Sequence, residues 1–189
     1  LLPLRRLSGK YLLGCGALFI LYMLALYTAV GMAANRHQVL EVGLLNYLWP
    51  ALTILFSLLL LDKKSKATLI PGTLLALGGV FLVLTQGQSI SLTSVAGNVA
   101  GNPSAYALGL AAAVSWGLYS NLTRRWGGAA AKGGEELFIL ATGIVFLLLA
   151  WLRGEGGPWT WRAGGEVAFM GLATALAYIL WDLAMRKGD

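Results

Sequence analysis

Four residues in one apolar run have types and spacing suited to holding a small molecule. Asn46, Trp49, Pro50 and Thr53 recur at i, i+3, i+4 and i+7 within the uncharged stretch Val42–Leu61, and helical spacing places them on one face. Pro50 lacks a backbone N–H, and its ring crowds the carbonyl four residues earlier, that of Asn46. In lipid an unpaired carbonyl is costly, so such a break must face protein or a wet hollow. One face then offers an amide, an indole, a hydroxyl and a freed carbonyl. Those groups can bind and orient a molecule. The same residues also allow a plainer arrangement, with Pro50 kinking the helix for packing and Trp49 turned to lipid.

A second group lies in the stretch Ala105–Thr123. Ala105, Gly109, Ala112 or Ala113 and Gly117 read as a small-residue side that lets another backbone approach. Trp116, Tyr119, Ser120 and Thr123 read as the other side, with Trp116 and Tyr119 one turn apart and able to stack on an aromatic or apolar molecule. An interfacial aromatic belt is the competing account; it also suits Trp126, Trp151, Trp159 and Trp161. Near the end of the chain Thr174, Tyr178 and Asp182 form an i, i+4, i+8 line beside Trp181. Asp182 either pairs with Arg186 one turn later or serves as an ion-coupling carboxylate, since acids inside membranes are expensive and functional. Glu41 is the other acidic candidate; it equally suits a helix start, where the dipole favours a carboxylate. Tyr22 and Tyr27 are further aromatic candidates, with no residue pattern to fix their direction.

Bond-breaking chemistry lacks its parts. Cys15 and His37 are each alone of their kind, which rules out an internal disulfide and a zinc site. No nucleophile–base pair is spaced for catalysis, and the Gly-rich "PGTLLALGG" has neither the lysine nor the preceding strand of a phosphate-binding loop. The expectation is a protein without metal or cofactor that is not an enzyme.

The chain that carries these residues is 58% hydrophobic and 12% charged, with a mean hydropathy of +0.72. Its charges are bunched, leaving long neutral stretches. A bilayer core about 30 Å thick takes roughly 20 apolar residues in a helix. Six spans are expected, all α-helical: Tyr11–Ala34, Val42–Leu61, Ala67–Leu84, Ala105–Thr123, Leu137–Leu152 and Val167–Trp181. The run after Lys10 is too long for a signal peptide and has no small-residue cleavage site. With the chain start on the cytoplasmic side, eleven of the lysines and arginines fall in cytoplasmic segments (5, 6, 10, 63, 64, 66, 124, 125, 132, 186 and 187). Only Arg36, Arg153 and Arg162 fall opposite. That bias sets orientation in a bacterial inner membrane. The net charge of +6 therefore reports topology, and no nucleic-acid partner is expected.

The uncharged, Gly/Ser/Asn-rich stretch "TQGQSISLTSVAGNVAGNPS" (85–104) reads as an extracytoplasmic connector between two halves, 1–84 and 105–189. An offset of 155 pairs Pro3 with Pro158, Gly9 with Gly164, Gly16 with Gly171, Leu21 with Leu176 and Ala29 with Ala184. Spans five helices apart cross in opposite senses, as in inverted-repeat transporters. On that reading the chain is a window on a ten-helix protein, with two helices lacking at each end; the alternative is a six-helix protein whose two halves stay unmatched.

Residues 31–84, "GMAANRHQVLEVGLLNYLWPALTILFSLLLLDKKSKATLIPGTLLALGGVFLVL", resemble the EamA-type transporters of the drug/metabolite transporter superfamily. "EVGLLNYLWPALTI" looks like the aromatic amino-acid exporter group within it. "AAAVSWGLYSNLTRRW" (111–126) is similar to the opening helix of an EamA repeat, and "ALAYILWDLAMRKGD" (175–189) to the third helix of the second repeat. The resemblance implies a ten-helix exporter with a central cavity, working by alternating access on aromatic amino acids in the lipid bilayer, with no obligate protein partner. Residues 1–84 would be the last three helices of a first repeat and 105–189 the first three of a second. Carriers of other metabolites or drugs on this scaffold, a lipid-modifying membrane enzyme and a structural subunit are the other classes considered.

Overall fold

A computed structural model of the chain describes residues 7–61, 69–85, 92–127, 134–154, 156–157 and 159–187, without the side chains of 83–85, 92, 182 and 185–187. Regular structure among the described residues is helical throughout: α1 (Gly16–Met32), led in by a π-helical turn Tyr11–Cys15, then α2 (Arg36–Asn46), α3 (Trp49–Leu60), α4 (Leu69–Thr85), α5 (Leu92–Gly101), α6 (Pro103–Gly127), α7 (Gly134–Leu152) and α8 (Trp161–Lys187).

Local chemistry explains where these helices start and stop. Asn35 caps α2 by accepting from the Gln38 backbone N–H at 2.9 Å, and Gln38 reaches back to accept from Ala34 N–H at 2.9 Å. This reciprocal arrangement, much like a capping box, starts the helix at Arg36, six residues before the expected span. The chain leaves α7 through Gly154, whose φ of +65° is cheap only for glycine. Thr160 then accepts from Ala163 N–H at 3.1 Å and opens α8.

Four segments are long and apolar enough to cross a bilayer by length and composition: Tyr11–Met32, Arg36–Leu60, Gly134–Leu152 and Trp161–Trp181. These match four of the six expected spans. The third expected span forms a shorter apolar helix, Leu69–Leu82 within α4. The fourth forms α6, whose Gly, Ser, Tyr and Trp content lowers its hydropathy despite 25 residues of length. The expected connector 85–104 is not all irregular, because α5 occupies Leu92–Gly101.

The chain divides into two compact units, Leu1–Ile20 with Thr123–Asp189, and Leu21–Leu122. In the first, Tyr11 and Phe138 are buried with ring centroids 5.4 Å apart, and Phe19 meets Tyr178 edge-on at 5.3 Å. Gly14 lies under the Trp126 ring and Gly16 under Phe138, so both close approaches depend on a missing Cβ. Trp151, Trp159 and Trp161 are exposed, in keeping with a belt, whereas Trp126 is half-buried on Gly14.

In the second unit Ala29, Val42, Ala105 and Tyr106 form the core, flanked by Leu45 and Leu108. A Cβ at Gly109 would stand 3.2 Å from the Val42 side chain, and one at Gly117 would stand 3.1 Å from Leu52 and from the Phe56 ring. The small residues of α6 therefore let α2 and α3 approach closely, as expected. The expected division of faces does not hold. Trp116 and Tyr119 are buried together with Ala112 and Ala113, because positions 112, 116 and 119 are spaced at i, i+4 and i+7 and share one face.

Gly117→Leu is expected to destabilise the protein by about 1–3 kcal/mol through overpacking against Leu52 and Phe56. Gly143→Ala, in open surroundings on α7, should be neutral or gain up to about 1 kcal/mol of helix propensity. Denaturant unfolding followed by tryptophan fluorescence checks both.

Candidate functional site

The proline segment is interrupted. Tyr47 (φ −65°, ψ 0°) ends α2 and Leu48 (φ −71°, ψ −13°) caps α3, which places Pro50 in the first turn of the new helix. There its missing N–H costs nothing, since first-turn donors have no partner within the helix. Tyr47 N–H donates to Gly43 at 3.0 Å, and Leu48 N–H tightens onto Leu45 at 3.1 Å. Asn46 is now the last residue of one helix and Trp49 the first of the next, so no uninterrupted helical face joins all four residues. The Asn46 side-chain oxygen is buried, with no hydrogen-bond partner among the described residues. Thr53 spends its hydroxyl on its own helix, donating to the Trp49 carbonyl at 2.7 Å.

Trp116 is the hub of an aromatic cluster in this unit. Its ring lies 4.6 Å from Tyr22, 5.2 Å from Tyr119 and 6.3 Å, edge-on, from Trp49. Such spacings are those of favourable aromatic pairs. Three elements meet here: α1 supplies Tyr22, the start of α3 supplies Trp49, and α6 supplies Trp116 and Tyr119. Tyr22 is buried while Tyr27, the alternative on α1, is 53% exposed. A residue that spacing did not single out holds two of these helices together. Asn121, fully buried, donates from Nδ2 to the Thr53 carbonyl of α3 and to the Gly117 carbonyl, each at 2.9 Å.

A polar network stands on α2, α5 and α6. Glu41 is 4% exposed; Asn98 Nδ2 donates to its two oxygens at 3.1 and 3.2 Å, and the Tyr106 hydroxyl donates to Oε2. Asn102 donates to the Met32 carbonyl at 2.8 Å and to Gln38 Oε1 at 3.1 Å. Glu41 and Tyr106 also line an apolar hollow of about 710 Å³, whose wall includes the interruption residues Tyr47 and Leu48. Besides Glu41 itself, a sequence clue to this network is Asn98 and Asn102 standing four residues apart in the segment that reads as a connector.

Tyr178 is half-buried and packs on Phe19 within the other unit. The Asp182 side chain and that of Arg186 lie outside the described residues, so the choice between ion pair and coupling carboxylate falls there too. No group of three metal-ligating side chains occurs among the described residues.

Replacing Asn121 by leucine, which keeps volume and removes both donated bonds, is expected to cost about 1 kcal/mol. Asn121→Asp should cost more, since it sets a carboxylate against two carbonyls. Thermal unfolding of the two variants tests the order.

No family model and no solved structure matches the chain. Three curated relatives do, each named aromatic amino acid exporter YddG. The Salmonella typhimurium protein is 33% identical over 187 residues, covering 98% of this chain and 63% of the relative. The Escherichia coli K12 protein is 37% identical over 140 residues, covering 74% and 47%. The Ancylobacter novellus protein is 31% identical over 159 residues, covering 79% and 50%. The chain thus spans between about half and just under two thirds of these relatives' length. The likeness to aromatic amino-acid exporters read from residues 41–54 is shown by these matches, and the chain is YddG-like in sequence along nearly its whole length.

Proposed function

We propose that the protein exports aromatic amino acids and similar amphipathic molecules across a bacterial inner membrane, with the chain start on the cytoplasmic side. The observation that carries this reading is the ring cluster around Trp116, set against an interrupted helix, in a chain similar to proteins named for that activity. A substrate ring would insert beside Trp116, exchanging one ring contact for another with little loss. The amino group would meet the unpartnered Asn46 oxygen, and the carboxyl group the Tyr119 hydroxyl and the first-turn N–H groups of α3 at the break beside Pro50. Thr53 contributes through its helix.

The repeat organisation belongs to the same proposal. Residues 1–84 would close a first five-helix repeat and 105–189 open a second, joined by 85–104 and related by inversion. Rocking of one repeat against the other would expose the site to either side in turn. An apolar pocket separates similar side chains by only about 1–3 kcal/mol, so selectivity among aromatic and large apolar amino acids should be broad.

Trp116→Ala is expected to lower tryptophan flux in proteoliposomes by about tenfold or more, matching the loss of two or three ring contacts of about 0.5–1.5 kcal/mol each. Trp116→Phe should retain most of it. Unchanged flux in Trp116→Ala and in the double variant Asn46→Ala/Trp49→Ala would remove this site from the transport path.

A further inference from the structure

The hollow beside Glu41 is chemically lopsided along its length. Glu41, Tyr47 and Tyr106 are its lining residues with polar side-chain atoms, and the rest is apolar, including Leu44, Leu77, Phe81 and Leu110; Glu41 alone carries an ionisable carboxyl group. Glu41 stands on α2, and Tyr47 and Leu48 line the hollow at the interruption that follows it. Tyr47, Phe81, Val99 and Leu110 are each more than a third exposed, so the hollow opens onto apolar surface.

The acid end lacks a counter-charge. Glu41 is more than nine-tenths buried, its partners Asn98 and Tyr106 are neutral donors, and no lysine, arginine or histidine lines the hollow among the described residues. A carboxylate buried with neutral partners alone is under-compensated, and a cation brought to it gains more than it would at the surface. An occupant complementary to this shape has a cationic head and a long apolar body reaching in from the lipid side.

We infer that the hollow is a binding site for a phospholipid with a primary-ammonium headgroup, its ammonium on Glu41 and one acyl chain along α2 and α6. Phosphatidylethanolamine has that chemistry. A head with N–H donors can hydrogen-bond the carboxylate; a trimethylated choline head cannot. The site is separate from the ring cluster at Trp116, and the inference does not rest on the transport reading.

The test uses the purified protein, delipidated in detergent and titrated with dioleoyl-phosphatidylethanolamine or dioleoyl-phosphatidylcholine, with bound lipid counted by native mass spectrometry and thermal unfolding as the second readout. The expected result is roughly tenfold tighter binding of the ethanolamine lipid, the scale of one hydrogen bond to a charged group. Glu41→Gln should abolish that preference. Gly78→Leu should weaken both lipids, because Gly78 lines the hollow and its Cβ position is open, so the variant is expected to fold. Trp116→Ala should leave lipid preference unchanged even where it abolishes tryptophan flux. Equal binding of the two lipids, or a preference that survives in Glu41→Gln, overturns the inference. So does equal, Glu41-dependent binding of dodecylamine, which would make the hollow a site for simple amphipathic amines.

Discussion

Two residues, Tyr47 and Leu48, leave the helix in the middle of a 25-residue segment apolar enough to cross a bilayer. Backbone groups in an apolar medium have no water to turn to, so every neighbour of such a break must compensate for it. Part of the compensation is local: the chain tightens its last turn and restarts with Pro50 where a missing donor is harmless. The rest comes from other helices. Asn121 of α6 reaches the Thr53 carbonyl one turn into α3, and Trp49 at the restart leans edge-on against Trp116. Tyr47 and Leu48 themselves stand on the wall of a hollow.

That compensation requires α6 to lie close. Gly109 under Val42 and Gly117 under Leu52 and Phe56 give the approach its room, and Ala112 and Ala113 are fully buried between them. Because large and small residues share this face, the same contact that seats the glycines also buries Trp116 and Tyr119 and stacks them with Tyr22. Packing and ring cluster are thus one feature. A helix carrying bulk at 109 and 117 would hold its aromatics away from α3.

Glu41 illustrates how a buried charge organises a neighbourhood. It draws Asn98 from α5 and the Tyr106 hydroxyl from α6 onto α2, while Gln38 and Asn102 tie the start of α2 to the end of α5. These bonds join segments 57 to 65 residues apart in sequence. They also turn a stretch that reads as a polar connector into a helix fixed to the core.

Much was decided by the sequence itself. Hydropathy depends only on composition within a window, so helical class and four long apolar segments were legible without a fold. Proline chemistry is equally local, which is why a break near Pro50 could be anticipated. The helical period alone puts Trp116 with Ala112 rather than opposite it, and that too was available to arithmetic. Which side of a helix meets which partner was not, because that depends on contacts between distant segments. Only the tertiary arrangement chose Tyr22 over Tyr27, brought Trp49 to Trp116, gave Asn121 its two carbonyls and surrounded Glu41 with neutral donors. Local patterns record what a segment must hide; packing between segments determines what it is hidden against.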